Sequence, residues 1–301
     1  MRGIIINSMQ FDSKNLLDKE NIKKLIKRHF FSTGRCSSGC KYCFAHQPDY
    51  QKFEDFSNQA YERMTSTYNI VYPSCDGEFF NNPNTINQLD LMRKNVLGKN
   101  IIFSITTKAI LDEEEIKEIS RINKEMIEQN KGFIKVSVTI SNQSMIQEIE
   151  PNTSNFFERI DTLEMLRKYD IPSSVILKPL LPFIDIQEYI DIIRTTLKYT
   201  DLYLIGELYI NINSDFYKKY IKKDYHVDLK TVEWLDNKKM YRVIETTEMQ
   251  HRIKDWIIGL YSVKGIKPNI FENDTELLLY IKNRIDTRNL TKDNLQIFNT
   301  I

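Results

Sequence analysis

Short apolar runs alternate with amphipathic stretches over the first two thirds of the chain. HFFST (29–33), NIVYPS (69–74), NIIFSITTK (100–108), FIKVSVTIS (133–141), IPSSVILKPLLP (171–182) and DLYLIGELYI (201–210) read as strands. They are apolar on both faces more often than they alternate, as strands of a helix-covered sheet should be. Between them, DFSNQAYERMTS (55–66), TINQLDLMRKN (85–95), LDEEEIKEISRINKEMIEQN (111–130), NFFERIDTLEMLRKYD (155–170) and DIQEYIDIIRTTLKY (185–199) read as helices. NLLDKENIKKLIKR (15–28) predicts a further short helix leading into the first strand. Strands separated in this way pair in parallel through helical crossovers. The expected architecture is α/β: a partial (β/α)6 barrel over residues 28–210, an N-terminal helical extension over 1–27 and a C-terminal extension over 211–301. No GxGxxG follows the first strand, which disfavours a dinucleotide fold.

Past Tyr209 the alternation breaks. Residues 211–249 are polar and aromatic, and HRIKDWIIGLYSV (251–263) and DTELLLYIKNRIDT (274–287) read as helices or short strands. This extension, α/β or helical, is expected to pack on the barrel and shape the substrate side of its rim.

Composition narrows the class only a little. At 301 residues, 41% hydrophobic and 28% charged, the chain is an ordinary globular protein with a substantial core. No apolar run is long enough to cross a bilayer, and MRGIIINSMQFDSKN has no signal-peptide pattern, so the expected compartment is the cytoplasm, away from any membrane. The formal charge of +1 neither demands nor forbids a polyanionic partner, because a local patch can bind one.

The chemistry is concentrated in cysteine. Three of the four cysteines, Cys36, Cys40 and Cys43, fall within eight residues, and Cys75 stands apart. A disulfide-stapled scaffold would spread its cysteines along the chain. Structural zinc takes four protein ligands, and only His46 stands near enough in sequence to complete a Cys3His set, at a tighter spacing than usual. Three thiolates suit a [4Fe–4S] cube with one iron left open. Both readings stand on the residues alone, and the zinc one describes a non-catalytic binding protein.

CSSGCKYC, with Tyr42 just before the third cysteine, resembles the signature of the radical SAM superfamily, and the βα pattern extends that likeness over much of the chain. The resemblance implies a cluster on Cys36, Cys40 and Cys43 whose open iron binds the amino and carboxylate groups of S-adenosylmethionine (SAM). A reductant such as flavodoxin or ferredoxin then drives SAM cleavage to a 5′-deoxyadenosyl radical, which abstracts hydrogen from a substrate. In such barrels the functional rim lies at the C-terminal ends of the strands.

That rim selects the other candidates. Asp76, Gly77 and Glu78 resemble the family's Gly-Gly-Glu turn, which receives the SAM amino group, with Asp76 replacing the first glycine. Lys108 ends the third strand and is a candidate for the SAM carboxylate. Ser137 and Thr139 share a face of the fourth strand and could bond the ribose if that face points inward. Phe44 is placed to lie near adenine, and Glu207 stands at the rim as a candidate substrate contact. Each also has a plainer account: a turn glycine, a solvated lysine, ordinary strand residues, a packing aromatic, a surface carboxylate.

The segments Glu150-Pro151-Asn152-Thr153 and Pro179-Leu180-Leu181-Pro182 are similar to those of the spore-photoproduct-lyase-like branch. In that branch a cysteine outside the cluster returns hydrogen to the product radical, and Ser74-Cys75-Asp76 is similar to that pattern. A small buried residue is the equal alternative for Cys75. The branch makes a nucleic acid or nucleotide the first substrate expectation, with a peptide or small metabolite as the alternative. Lys218, Lys219, Lys222 and Lys223, interleaved with Tyr217, Tyr220 and Tyr225, suit phosphate contact and base stacking, although such a run is more commonly a solvated face.

Overall fold

A computed structural model describes residues 26–291 except 35, 47–49, 63, 65–67, 96–99, 130, 233–237 and 265–267. Strands β1 (Ile26–Phe30), β2 (Tyr68–Tyr72), β3 (Ile101–Thr107), β4 (Gly132–Thr139), β5 (Ser173–Leu177) and β6 (Leu202–Ile205) lie side by side in sequence order, every pairing parallel. The crossovers carry helices α1 (Asn58–Glu62), α2 (Thr85–Asn95), α3 (Glu113–Glu128), α4 (Ile146–Ile149), α5 (Phe156–Lys168) and α6 (Ile186–Thr196). The sheet curls into a half-barrel, the expected partial (β/α)6 architecture.

Local signals account for the helix starts. Asp112 and Asn155 each close a reciprocal capping box, with Glu115 and Glu158 respectively, and Asp185 accepts from the Gln187 N–H. The first strand departs from expectation. Residues 26–28, read as the end of a helix, pair with Tyr68, Asn69 and Ile70 as part of β1, because an open sheet edge outweighs weak helical propensity. The remainder of that helix, 15–25, lies outside the described residues.

The two faces of the sheet are covered by different parts of the chain. Val71, Phe103, Val136, Val175 and Ile205 face outward and pack with Leu89, Met92, Ile119, Leu166 and Ile192 of the crossover helices. Ile70, Ile102, Phe133, Ile176 and Leu204 face inward and pack with Leu277, Leu278, Ile281 and Ile285. Those four belong to the C-terminal helix α8 (Asp274–Thr291), which fills the lower concave side. Burying each such side chain contributes about 1.5–3 kcal/mol. Strand β10 (Asn269–Phe271), just before α8, pairs in parallel with β6 and makes the sheet seven-stranded. A short stretch that a sequence pattern cannot distinguish from a loop therefore closes the edge.

The rest of the extension is α/β. Strands β7 (Tyr209–Ile210), β8 (Val227–Val232) and β9 (Lys238–Val243) form a separate antiparallel sheet ordered β7-β9-β8. Helix α7 (Ile244–Lys264) follows it. Thus the apolar run 201–210 splits between two sheets after Ile205, and its last residues turn onto the rim. Among the described residues no helix is long and apolar enough to cross a membrane.

Candidate active site

Above α8 the inward positions turn polar in layers. Asp274, at the helix start, accepts from the Ser104 hydroxyl at 2.8 Å and from Lys135. Ser137, expected at the cofactor, is fully buried beside Ser174 at 2.9 Å and does not reach the open space above. Two residues further along β4, Thr139 does line that space, so the shared face points inward as the period of two required.

That space is a cavity of about 230 Å³ at the C-terminal ends of the strands. It brings together Cys36, Cys40, Tyr42, Cys43 and Phe44 from the loop after β1, the turn Cys75, Asp76, Gly77 and Glu78 after β2, and Lys108 after β3. Glu207 lies on the β6 side of the same cavity. His46 does not line it, and among the described residues no three His, Cys, Asp or Glu side chains converge on one ion-sized point. Structural zinc takes four protein ligands, and His46, the fourth that the sequence offered, is not among the residues lining this cavity. Three thiols around an open cavity fit a larger cluster that leaves one metal exposed.

The cysteine loop is held from the β4–α5 connection. Lys41 N–H donates to Ile149 O at 2.9 Å, while Asn152 donates from its backbone to Ser38 O at 3.3 Å and from its side chain to Ser37 O at 3.1 Å. Below them lies an ion pair with both side chains at 0% exposure, Arg159 to Glu150 at 2.7 Å. Arg159 also donates to Thr139 O at 2.7 Å, Ser154 O at 3.0 Å and Thr153 Oγ1 at 2.6 Å. Glu150 in turn accepts from Tyr42 and from the Ser141 hydroxyl. The Glu-Pro-Asn-Thr segment, similar by sequence to that of the spore-photoproduct-lyase-like branch, thus buttresses the cysteine loop.

Lys108 joins these groups. Its ammonium stands 3.5 Å from Cys40 Sγ, 3.9 Å from Glu150 and 5.5 Å from the centre of the Tyr42 ring. Burial pushes the Cys40 thiol up to about 11, opposed by the Lys108 charge. Burial would also raise Glu150, but Lys108 and Arg159, together with the hydrogen bonds from Ser141 and Tyr42, hold the carboxyl below its usual range.

Two features of the Asp-Gly-Glu turn bear on a cofactor. Asp76 Oδ2 accepts from Tyr50 OH at 2.7 Å and Phe53 N–H at 3.3 Å, whereas its Oδ1 is buried with no hydrogen-bond partner. An orphaned acceptor at a cavity fits an incoming ammonium group. A Cβ on Gly77 would stand 2.9 Å from Ser74 Oγ and 3.2 Å from Gly34 O, so any side chain there would displace the Ser74 hydroxyl and crowd the loop after β1. Glu78 is spent locally: it accepts from Thr107 at 2.7 Å and from Lys108 N–H at 2.7 Å. With neutral donors and a single nearby cation, burial prevails and its pKa rises.

Cys75 lies in the same cavity, its N–H donating to Phe31 O at 2.9 Å. Burial, reinforced by Asp76, pushes its thiol pKa well above normal. It is therefore held as S–H. Phe44 packs edge-on against Tyr50, ring centres 5.4 Å apart. The four lysines of the basic run do not line the cavity. Lys218 pairs with Asp215 at 3.3 Å and Lys219 with Glu148 at 2.8 Å, so the tyrosine-lysine segment is partly neutralised from within. Sequence reasoning missed Lys178, Tyr209 and Met240, which complete the β5–β6 side. For Lys178 a signal existed: it follows β5 on the parity of Ser174 and Ile176, at the same rim that picked out Lys108.

No family model and no curated protein sequence matches the chain. Solved structures do. A spore photoproduct lyase mutant with bound AdoMet and dinucleoside spore photoproduct is 11% identical, over 81% of this chain and 76% of that one, with a TM-score of 0.57. The chain has the radical SAM fold. Streptococcus suis SuiB bound to its precursor peptide SuiA shares that fold at 10% identity, over 91% of this chain and 57% of that one, with a TM-score of 0.52. SuiB bound to S-adenosylmethionine gives 11% identity and a TM-score of 0.53 over 84% and 53% of the two chains.

Proposed function

We propose that this chain is a radical SAM enzyme, with a [4Fe–4S] cluster on Cys36, Cys40 and Cys43. The observation that carries the reading is the meeting of those three thiols with the Asp76–Gly77–Glu78 turn and Lys108 around one cavity at the C-terminal rim of a parallel half-barrel. When bound, the cluster and SAM supply reductive sulfonium cleavage and abstraction of a substrate hydrogen, with the electron drawn from a donor of the flavodoxin or ferredoxin kind.

The chain's own residues bind, orient and shield. Asp76 Oδ1 receives the SAM ammonium, Lys108 meets its carboxylate, Thr139 the ribose, and Phe44 the adenine, with Tyr42 fixing the loop through Glu150. Cys75, kept as a thiol by burial, returns a hydrogen atom to the product radical: its S–H bond breaks as the product C–H bond forms, and the thiyl radical left behind takes one electron from the same external donor and a proton from solvent.

The first substrate class is a nucleic acid or nucleotide, in a lyase-like or modifying reaction, as for the lyase neighbours. A second reading, a peptide or small metabolite, is favoured by the internal pairing of Lys218 and Lys219, which lessens the charge offered to phosphates.

Anaerobic reconstitution followed by dithionite reduction with SAM tests the core of the reading. The expected result is 5′-deoxyadenosine from the native chain and none after Cys36, Cys40 and Cys43 are changed to Ala. Stoichiometric zinc without iron would overturn it.

A further inference from the structure

The tyrosine–lysine run has no place in the cavity, and its central ring is engaged within the protein. Residues Tyr217–Ile221 form one π-helical turn, closed by Lys222 N–H donating to Tyr217 O at 2.9 Å. Such turns are rare and recur at functional sites. Tyr220 stacks on Phe183 with ring centres 5.2 Å apart, and its hydroxyl donates to Glu148. Lys219 lies over the same ring, 4.6 Å from its centre, and also bonds Glu148 at 2.8 Å. A ring held between Phe183 and Lys219 offers little face to a stacking base. What the turn does reach is the cysteine loop. Tyr220 packs on Phe216 at 5.0 Å, and buried Phe216 packs edge-on against Tyr42 at 6.1 Å. Three rings in contact thus join the surface at Tyr220 to the residue just before Cys43.

The charges around that chain of rings are unevenly matched. Lys218 and Lys219 are paired with Asp215 and Glu148. Lys222 and Lys223, next in sequence, and Lys41 of the cysteine loop are exposed and enter no ion pair among the described residues. Lys41 belongs to the same patch, since Glu148, held low chiefly by its bonds to Lys219 and Tyr220, is lowered by Lys41 as well. Asp224 is the acid beside Lys223, so positive charge is left over. Glu148 and Asp215 lie inside the patch and repel a continuous phosphate backbone, whereas a protein can place its acids only where they meet lysine. Complementary charge of this kind speeds encounter more than it raises affinity, which suits a partner that docks briefly and leaves.

We propose that the surface carrying Lys41, Lys222 and Lys223 around the π-helical turn is where the electron donor docks, a small redox protein with an acidic face about its own cofactor. The inference rests on the radical SAM reading and gives that reading's donor a place on the chain. One electron leaves the donor, oxidising it by one, and enters the cluster, reducing it by one, with no atom transferred. None of these lysines lines the cavity, so donor and substrate can be bound together.

The test follows cluster reduction in the reconstituted, SAM-loaded chain by stopped-flow absorbance, with reduced flavodoxin as the protein donor and dithionite as a small reductant. The flavodoxin rate should fall as salt rises, and should fall by about ten-fold or more at low salt in Lys222→Glu/Lys223→Glu. Lys124→Glu/Lys168→Glu makes the same charge change on exposed lysines near the opposite end of the barrel and should leave that rate nearly as it was. Dithionite reduction and SAM affinity should be nearly equal in all three proteins. A flavodoxin rate indifferent to salt, unchanged by the first pair, or lowered equally by both pairs would overturn the docking surface, while reduction by dithionite would leave the radical SAM reading standing. A chain that holds zinc and no cluster reducible by dithionite sinks that reading and the docking surface with it. Retention of a short RNA that is lost in Lys222→Glu/Lys223→Glu, with the flavodoxin rate unchanged, would assign the surface to nucleic acid instead.

Discussion

The cavity's two sides hold their charges by different means. Beneath the cysteine loop, Glu150 and Arg159 are sealed from solvent and between them engage Tyr42, Ser141, Thr153 and two backbone carbonyls. On the other side Glu207 and Arg242 sit at 17% and 20% exposure, and Arg242 is shared with Asp228 at 2.8 Å. Both are bidentate-capable carboxylate–guanidinium contacts, yet their surroundings give them different worth. A sealed pair cannot lose one member without stranding the other charge, whereas water can stand in for either member at the rim.

The sharpest way to break this contrast is Arg159→Met. It leaves buried Glu150 with only the more distant Lys108, 3.9 Å away, and should destabilise the fold by about 3 kcal/mol, measured by urea unfolding. Adding Glu150→Leu should recover only part of that loss, because Tyr42 and Ser141 would then lack their acceptor. Full recovery would mean that these hydrogen bonds beneath the cysteine loop contribute nothing. Arg242→Ala is the matched experiment on the other side and should cost about 1 kcal/mol or less, since Glu207 keeps Thr247 and Tyr209. If the two single substitutions cost the same, burial is not what distinguishes the sides.

The same division explains what the sequence disclosed. Cys36, Cys40 and Cys43 occupy one loop, and the Asp-Gly-Glu turn and Lys108 end neighbouring strands. A short motif and the period of βα units are enough to place them. Helix α2 over 85–95 was legible to the residue, and its buried positions Thr85, Leu89 and Met92 recur at helical spacing. The β5–β6 side depends instead on tertiary pairing. Met240 reaches the cavity because β9 pairs with β7, and β7 exists only because the run 201–210 leaves the main sheet after Ile205. No local pattern encodes such a break, nor does one reveal that three residues, Asn269–Phe271, return to pair with β6. Ser137 shows the converse limit. Parity assigned its face correctly, but depth along the barrel axis, set by register with Thr106 and Ser174, decided that it bonds a neighbour and not a ligand.

A smaller effect separates two carboxylates of the cysteine side itself. Glu150, held below its usual value by Lys108 and Arg159 against burial, contributes stability that is present above the ordinary carboxylate range and lost as pH falls through its lowered folded value. Glu78, raised by burial, takes up a proton in the folded state while the unfolded chain remains ionised, so stability falls as pH rises from the ordinary value through the raised one. The two slopes have opposite signs and adjoin near the ordinary glutamate value. Thermal unfolding followed against pH should therefore show Glu78→Gln flattening only the upper limb, since the amide oxygen can keep the Lys108 N–H while the Thr107 hydroxyl turns to accept from the amide NH2. Glu150→Gln should flatten only the lower limb, and at neutral pH should cost more than Glu78→Gln, because it strands the Arg159 charge. A Glu78→Gln variant that loses as much as Glu150→Gln at neutral pH would show that Glu78 is ionised and paired in the folded protein. The distinction between the two buried carboxylates would then disappear.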